Sequence, residues 1–205
     1  MVSRSKPETV IFVINFNSMK KPFVIIISIV LSITLKAQPG GIPPLDKSPM
    51  DMCYYPANYP VLKIQDKITE PLVARVIYSR PQRSGRTIFG GLVKYGELWR
   101  LGANEATEIE FFRPVRIDGK KISRGRYTLY AIVNETSWTL IINKETNTWG
   151  SFKYDMKKDV LRVALPVQKT DPVVESFSML FEKTTAGCSL LIAWENIRVS
   201  MPVTF

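Results

Sequence analysis

From Leu62 to the C-terminus the chain is a series of short β-branched or aromatic runs, each closed by proline, glycine or an Asn/Asp turn. That punctuation constrains the fold more than any other feature. Val73–Ser79 (VARVIYS) stops at Pro81, and Thr107–Phe112 (TEIEFF) stops at Pro114. Val115–Ile117 and Lys120–Ile122 flank Asp118-Gly119, a pair suited to the positive φ angles of a type I′ hairpin turn. Arg126–Val133, apolar on parts of both faces, pairs with Trp138–Asn143 across Asn134–Thr136. Val160–Val167, Phe177–Glu182, Ser189–Trp194 and Ile197–Val203 follow, and Thr184–Gly187 makes the turn between the two runs that flank it. No segment keeps a helical period for more than a few residues. The pattern predicts an all-β domain over residues 61–205, an antiparallel β-sandwich or jelly-roll-like fold. The length of 205 residues allows one substantial core.

The first sixty residues read differently. Lys20-Lys21, the apolar run PFVIIISIVLSITL and then Lys36-Ala37-Gln38 have the layout of a secretory signal peptide. The run is shorter than the roughly 20 residues of a membrane span. Residues 1–37 are therefore expected to be a leader cut after Ala37, with Met19 as a candidate true start and an uncleaved anchor as the alternative. This predicts an exported protein, periplasmic or secreted. Residues 38–60, rich in Pro, Gly and Tyr, are expected to lie as an extended arm over the domain, anchored by Tyr54, Tyr55 and Tyr59. Asp51 and those tyrosines could also line a site. Cys53 and Cys188 leave two outcomes open: a disulfide closing a very long loop, or two thiols packed as small hydrophobes.

One stretch carries chemistry-bearing residues without any clean period. Tyr78–Thr107 holds Arg80, Arg83, Arg86 and Arg100, five glycines, Tyr95, Trp99, Asn104 and Glu105. A long connection in a compact domain is functional or disordered, and its aromatics and short apolar runs argue for order. It is expected to be an ordered loop carrying the site. The chain has no histidine, which excludes Ser-His-Asp and Cys-His catalysis and His-containing zinc sites. Neither a calcium-type run of oxygen ligands nor a phosphate loop of the GxxxxGK[ST] type occurs, and no metal or cofactor is indicated. Of the formal charge of +10, Arg4, Lys6, Lys20, Lys21 and Lys36 against Glu8 put +4 in residues 1–37 and leave +6 for the rest. The remainder is basic enough to favour anionic partners by steering. It has no dense Lys/Arg run of a nucleic-acid binder.

The motifs YSRP (78–81), GRTIFGGLVKYGELWRLGANEAT (85–107), GRYTLYAI (125–132), WTLIINK (138–144), WG (149–150), DVLRV (159–163) and LLIAWEN (190–196) occur in an order that resembles the bacterial family known as domain of unknown function 2911. The resemblance covers roughly residues 60–205. Two positions depart from the family's pattern: Lys94 stands where proline is usual and Leu101 where threonine is usual. The resemblance implies an exported protein of Bacteroidetes-like bacteria and no established activity.

Each candidate has a structural and a functional reading. Arg80, Arg86 and Arg100 either tie the loop down through carbonyls or hold an anion with their forks. Asn104 and Glu105 either sit in a left-handed turn and pair with Arg80 or Arg100, or bind a ligand hydroxyl or carboxylate. Tyr95, Trp99, Phe89 and Trp194 are core or a carbohydrate- or peptide-binding platform. Glu105 and Glu195 are the candidate pair for two-carboxylate hydrolysis. The leading expectation is a non-catalytic β-sandwich that binds an anionic or sugar-like ligand, or an envelope protein, through residues 80–106. A carboxylate-dependent, glycosidase-like hydrolase is the second reading, and a purely structural envelope module the third.

Overall fold

The computed structural model describes residues 41–205. The leader expected over residues 1–37 lies outside them, and residues 44–205 form one unit. In chain order the elements are β1 (Met50–Tyr55), α1 (Tyr59–Ile64), β2 (Ala74–Ser79), β3 (Leu98–Trp99), β4 (Glu108–Phe111), β5 (Val115–Ile117) and β6 (Lys120–Ile122). Then come β7 (Gly125–Val133), β8 (Ser137–Asn143), β9 (Asp159–Pro166), β10 (Gln168–Thr184) and β11 (Gly187–Thr204). They make two antiparallel sheets, as the punctuation predicted. The larger runs β1-β2-β4-β7-β8-β9, with β3 also paired to β7, and the smaller runs β10-β11-β5-β6.

The core lies between the sheets. Alternate residues of β8 (Trp138, Leu140, Ile142) meet alternate residues of β10 (Phe177, Met179, Phe181) and of β11 (Leu190, Ile192, Trp194) in one buried cluster. The hairpin turn at Asp118-Gly119 forms with φ of 49° and 71°, the signs a type I′ turn requires. The central strand β7 explains its own two apolar faces. Tyr127, Leu129, Ala131 and Val133 join the main core. Tyr130 and Ile132 point the other way, into a small second cluster with Leu98, Ala106, Ile141 and Tyr154. At β7 and β8 the outer face of the larger sheet is thus covered by Leu98, Ala106 and Tyr154 from outside those strands.

Three expectations are corrected. The arm is not simply laid over the domain: between Pro49 and Pro56 it forms β1, which pairs with β2 from Met50↔Ser79 to Tyr55↔Ala74. It occupies the sheet edge, where flanking prolines cost no ladder bonds. The helix α1 was missed because six residues with no buried member show no apolar period. The two runs expected at 189–194 and 197–203 are one strand, which crosses an irregularity where Glu195, at φ 56°, faces Val174.

Cys53 and Cys188 are free thiols, so the disulfide alternative is not realised. Burial pushes both up to about 12, and the Asp51 carboxylate adds to the effect on Cys53. At pH 8 both should resist iodoacetamide in the folded protein, because the thiolate is the nucleophile. On unfolding without reductant both should alkylate; recovery of neither would restore the disulfide. The sign for stability follows from the same shifts. Above pH 9.0 the unfolded chain ionises first, so stability is intact below that pH and falls between about 9 and 12.

Candidate functional site

The loop between β2 and β4 is ordered by driving its apolar residues inward. Ile88, Phe89, Val93, Trp99 and Leu101 are all buried. Trp99 stacks on Trp194 at 6.1 Å and an interplanar angle of 19°, and Phe89 lies 5.0 Å from Trp138. Trp99, Phe89 and Trp194 are therefore core and form no binding platform. Of the four aromatics offered for that role, Tyr95 alone is exposed, with its ring against Gly90.

The turn at residues 100–104 is clamped from three sides. The Ser79 hydroxyl donates to the Ala103 carbonyl at 2.6 Å and accepts from the Ala103 amide at 2.7 Å. Trp99 Nε1 donates to the Gly102 carbonyl at 3.1 Å, and the Thr107 hydroxyl donates to the Leu101 carbonyl. Leu101 and Asn104 hold left-handed conformations, φ 54° and 59°. The Leu101 side chain is fully buried.

The arginines divide by what they touch. Arg80 is spent on the protein: it pairs with Asp51 at 3.1 Å and donates to the Phe177 carbonyl and the Ser178 hydroxyl. Asp51 also accepts from Tyr78, so the arm does reach the loop, as a structural partner. Arg83 pairs with Glu195 at 3.5 Å. Arg86 donates to the Arg83 and Gln82 carbonyls, which tie the loop down. Arg100 alone of the four makes no side-chain hydrogen bond or ion pair among the described residues; its Nε, like that of Arg83, is buried without a hydrogen-bond partner. Burial lowers its pKa, although a guanidinium stays charged.

Arg100 lies on the wall of a hollow of about 370 Å³ that also takes in Arg86, Lys94, Glu97, Leu98 and the edge of Trp194. Lys94 thus adds a cation to this hollow. A neighbouring depression shares Arg86 and Ser48 with it and adds Lys47 from the segment before β1. Sequence reasoning missed Lys47, Ser48, Ser79 and Glu97, because nothing local marks them; only the folded arm and loop bring them together.

The remaining candidates lie elsewhere. Asn104 donates to Asp46 at 3.0 Å. Glu105 is exposed and its carboxylate pairs with neither Arg80 nor Arg100, contrary to the structural expectation. It borders a different hollow with Met50, Ile77 and Asn147. Glu195, held by Arg83, lines none of these hollows. Among the described residues no cluster of three His, Cys, Asp or Glu side chains is placed to hold a metal ion.

No curated protein and no solved structure matches the chain. The model of the family described as "Protein of unknown function (DUF2911)" matches residues 60–203, which takes in every strand from β2 to β10 and nearly all of β11, together with the loop that carries Arg100. The chain belongs to that family.

Proposed function

We propose that the protein is an exported, non-catalytic binding module that takes a small carboxylate or phosphate ester in the hollow at Arg100. The observation that carries this reading is the unspent guanidinium. Buried polar groups are ordinarily hydrogen-bonded, and an arginine fork without a carboxylate or carbonyl is matched to an anion supplied from outside. Lys94 and Arg86 add positive charge to the lining, offset in part by Glu97, while Leu92 and Leu98 offer an apolar surface to the body of the ligand. Export rests on the basic and apolar pattern of residues 19–38. The separation of Glu105 from the Arg83–Glu195 pair favours binding over two-carboxylate hydrolysis, which needs both groups across one cleft.

The test is a thermal-shift and calorimetric titration with phosphate, succinate and benzoate at matched ionic strength. At least one should raise the unfolding midpoint with concentration. Arg100→Gln should weaken that ligand roughly 10- to 100-fold, the range for a lost hydrogen bond to a charged group. The same variant should unfold at an unchanged or higher temperature, because it removes an unpaired, half-buried charge. A drop of several degrees with no anion response in the wild type would assign Arg100 to the fold and end the binding reading.

A further inference from the structure

We propose that the loop of residues 144–153 is a second ligand site, a platform on which a pyranose ring stacks between Trp149 and Phe152. Trp149 is 61% and Phe152 85% exposed, whereas Trp99, Trp138 and Trp194 are all buried. A flexible loop would display aromatics by default, but this loop is tied at Glu145, Asn147, Thr148 and Gly150. The Asn143 side chain accepts from the Glu145 amide, and Thr128 donates to the Glu145 carbonyl. Glu108 accepts from the Asn147 amide, and Arg126 donates to the Asn147 side chain. The Ala106 amide donates to the Thr148 carbonyl at 3.0 Å, and the Gly150 amide to the Asn104 carbonyl at 2.9 Å. Gly150, at φ 64°, leaves the space the Phe152 ring uses: an added Cβ would lie 2.7 Å from Cε2 of that ring. Trp149 is therefore carried on a fixed backbone, and Phe152 presents its ring to water beside Gly150.

Between them and the loop backbone is a hollow of about 590 Å³ whose polar wall includes Asn147, Lys153 and the Glu145–Lys158 ion pair. The adjoining hollow shares Asn147 and Thr148 and adds Glu105. Glu105 forms an antiparallel bridge with Trp149, and its carboxylate has no partner among the described residues. The GANEAT motif thus abuts this platform as well as the Arg100 turn.

The chemistry selects the ligand. A stable protein interface needs on the order of 800 Å² per partner, and two side chains ringed by charges fall short of that. A nucleic-acid strand would meet the unpaired Glu105 carboxylate, which repels phosphates, and would have to displace Glu145 and Glu108 from Lys158 and Arg126. A sugar ring has an apolar C–H face for aromatic stacking and a rim of hydroxyls that carboxylates, amides and ammonium groups can bond. The size of the hollow suits a mono- or disaccharide. This site does not depend on the anion site at Arg100.

Trp149 supplies the readout, since it is the one exposed tryptophan of four. Acrylamide quenching of the purified protein would be followed against cellobiose, maltotriose, chitobiose and xylotriose. We expect at least one to reduce the quenchable fraction saturably at millimolar concentration. Phe152→Ala, which keeps the Trp149 signal, should weaken that saturation about tenfold or more through loss of one aromatic wall. Arg100→Gln should leave it unchanged, and Trp149→Ala should remove the quenchable component. Quenching insensitive to all four sugars, or an unaltered curve in Phe152→Ala, overturns the proposal. Protection that instead follows protein concentration also overturns it, by placing a second copy of the chain over the loop.

Discussion

Trp99→Ala is expected to cost about 3–5 kcal/mol of folding stability, the range for removing a large aromatic from a packed core. Trp99 is 6% exposed and touches four other rings: Trp194, Phe89, Trp138 and Phe177, the last at a centroid distance of 5.2 Å. These rings come from both sheets and from the long loop, so the cavity left by alanine cannot close by moving one element. The Nε1 bond to the Gly102 carbonyl is lost as well. Against a total stability of about 5–15 kcal/mol, that is a large fraction of the whole. Urea unfolding should show a lower midpoint with an unchanged slope. Trp99→Phe keeps most of the apolar area, and should recover all but about 1–2 kcal/mol, chiefly the hydrogen bond and a smaller void. A cost below about 1 kcal/mol for Trp99→Ala would show that the ring is not structural, and would reopen the platform reading for it.

That ring also marks the boundary of what was legible. The strands announced themselves wherever apolar alternation met a turn signal, as at β5–β6 around Asp118-Gly119 and at β7–β8. Glycine and Asx chemistry is local, and so it can be read from neighbouring residues. Trp99 sits in a two-residue strand inside a stretch without period, and its burial depends on Trp194, Trp138 and Phe177, none of them near in sequence. The core reading therefore holds for Trp99 and Trp194, while the exposure of Trp149 and Phe152 has no local mark in the sequence beyond the WG pair at 149–150.

The four loop arginines show the same limit for polar groups. In sequence they are equivalent. In the fold, Arg80 is satisfied by atoms 29, 97 and 98 positions away, and Arg83 by Glu195. Arg86 finds carbonyls three and four residues back. Only that last pattern is local enough to anticipate. The identity of the arginine left without a partner emerges by subtraction, after tertiary structure has assigned the others.

Gly102→Ala is expected to cost roughly 2–4 kcal/mol, combining backbone strain of about 1–3 with the weakening of buried hydrogen bonds of about 1 kcal/mol. Gly102 holds φ 147°, a conformation that favours glycine, and an added Cβ would stand 2.7 Å from the Ser79 hydroxyl. That hydroxyl cannot simply swing away, because it holds both the amide and the carbonyl of Ala103 and Ser79 is fully buried. Relief must come from moving the turn itself, which carries Arg100 on one side and Asn104 on the other. The substitution therefore tests position as well as stability. Any anion response at Arg100 should fall together with the unfolding midpoint. Ser79→Gly, paired with Gly102→Ala, removes the clashing atom and should restore part of the stability but not the Ala103 clamp. If the double variant is no more stable than the separate costs of Gly102→Ala and Ser79→Gly add up to, the clash with Ser79 is not the cause. The strain would then lie in the φ of residue 102 by itself.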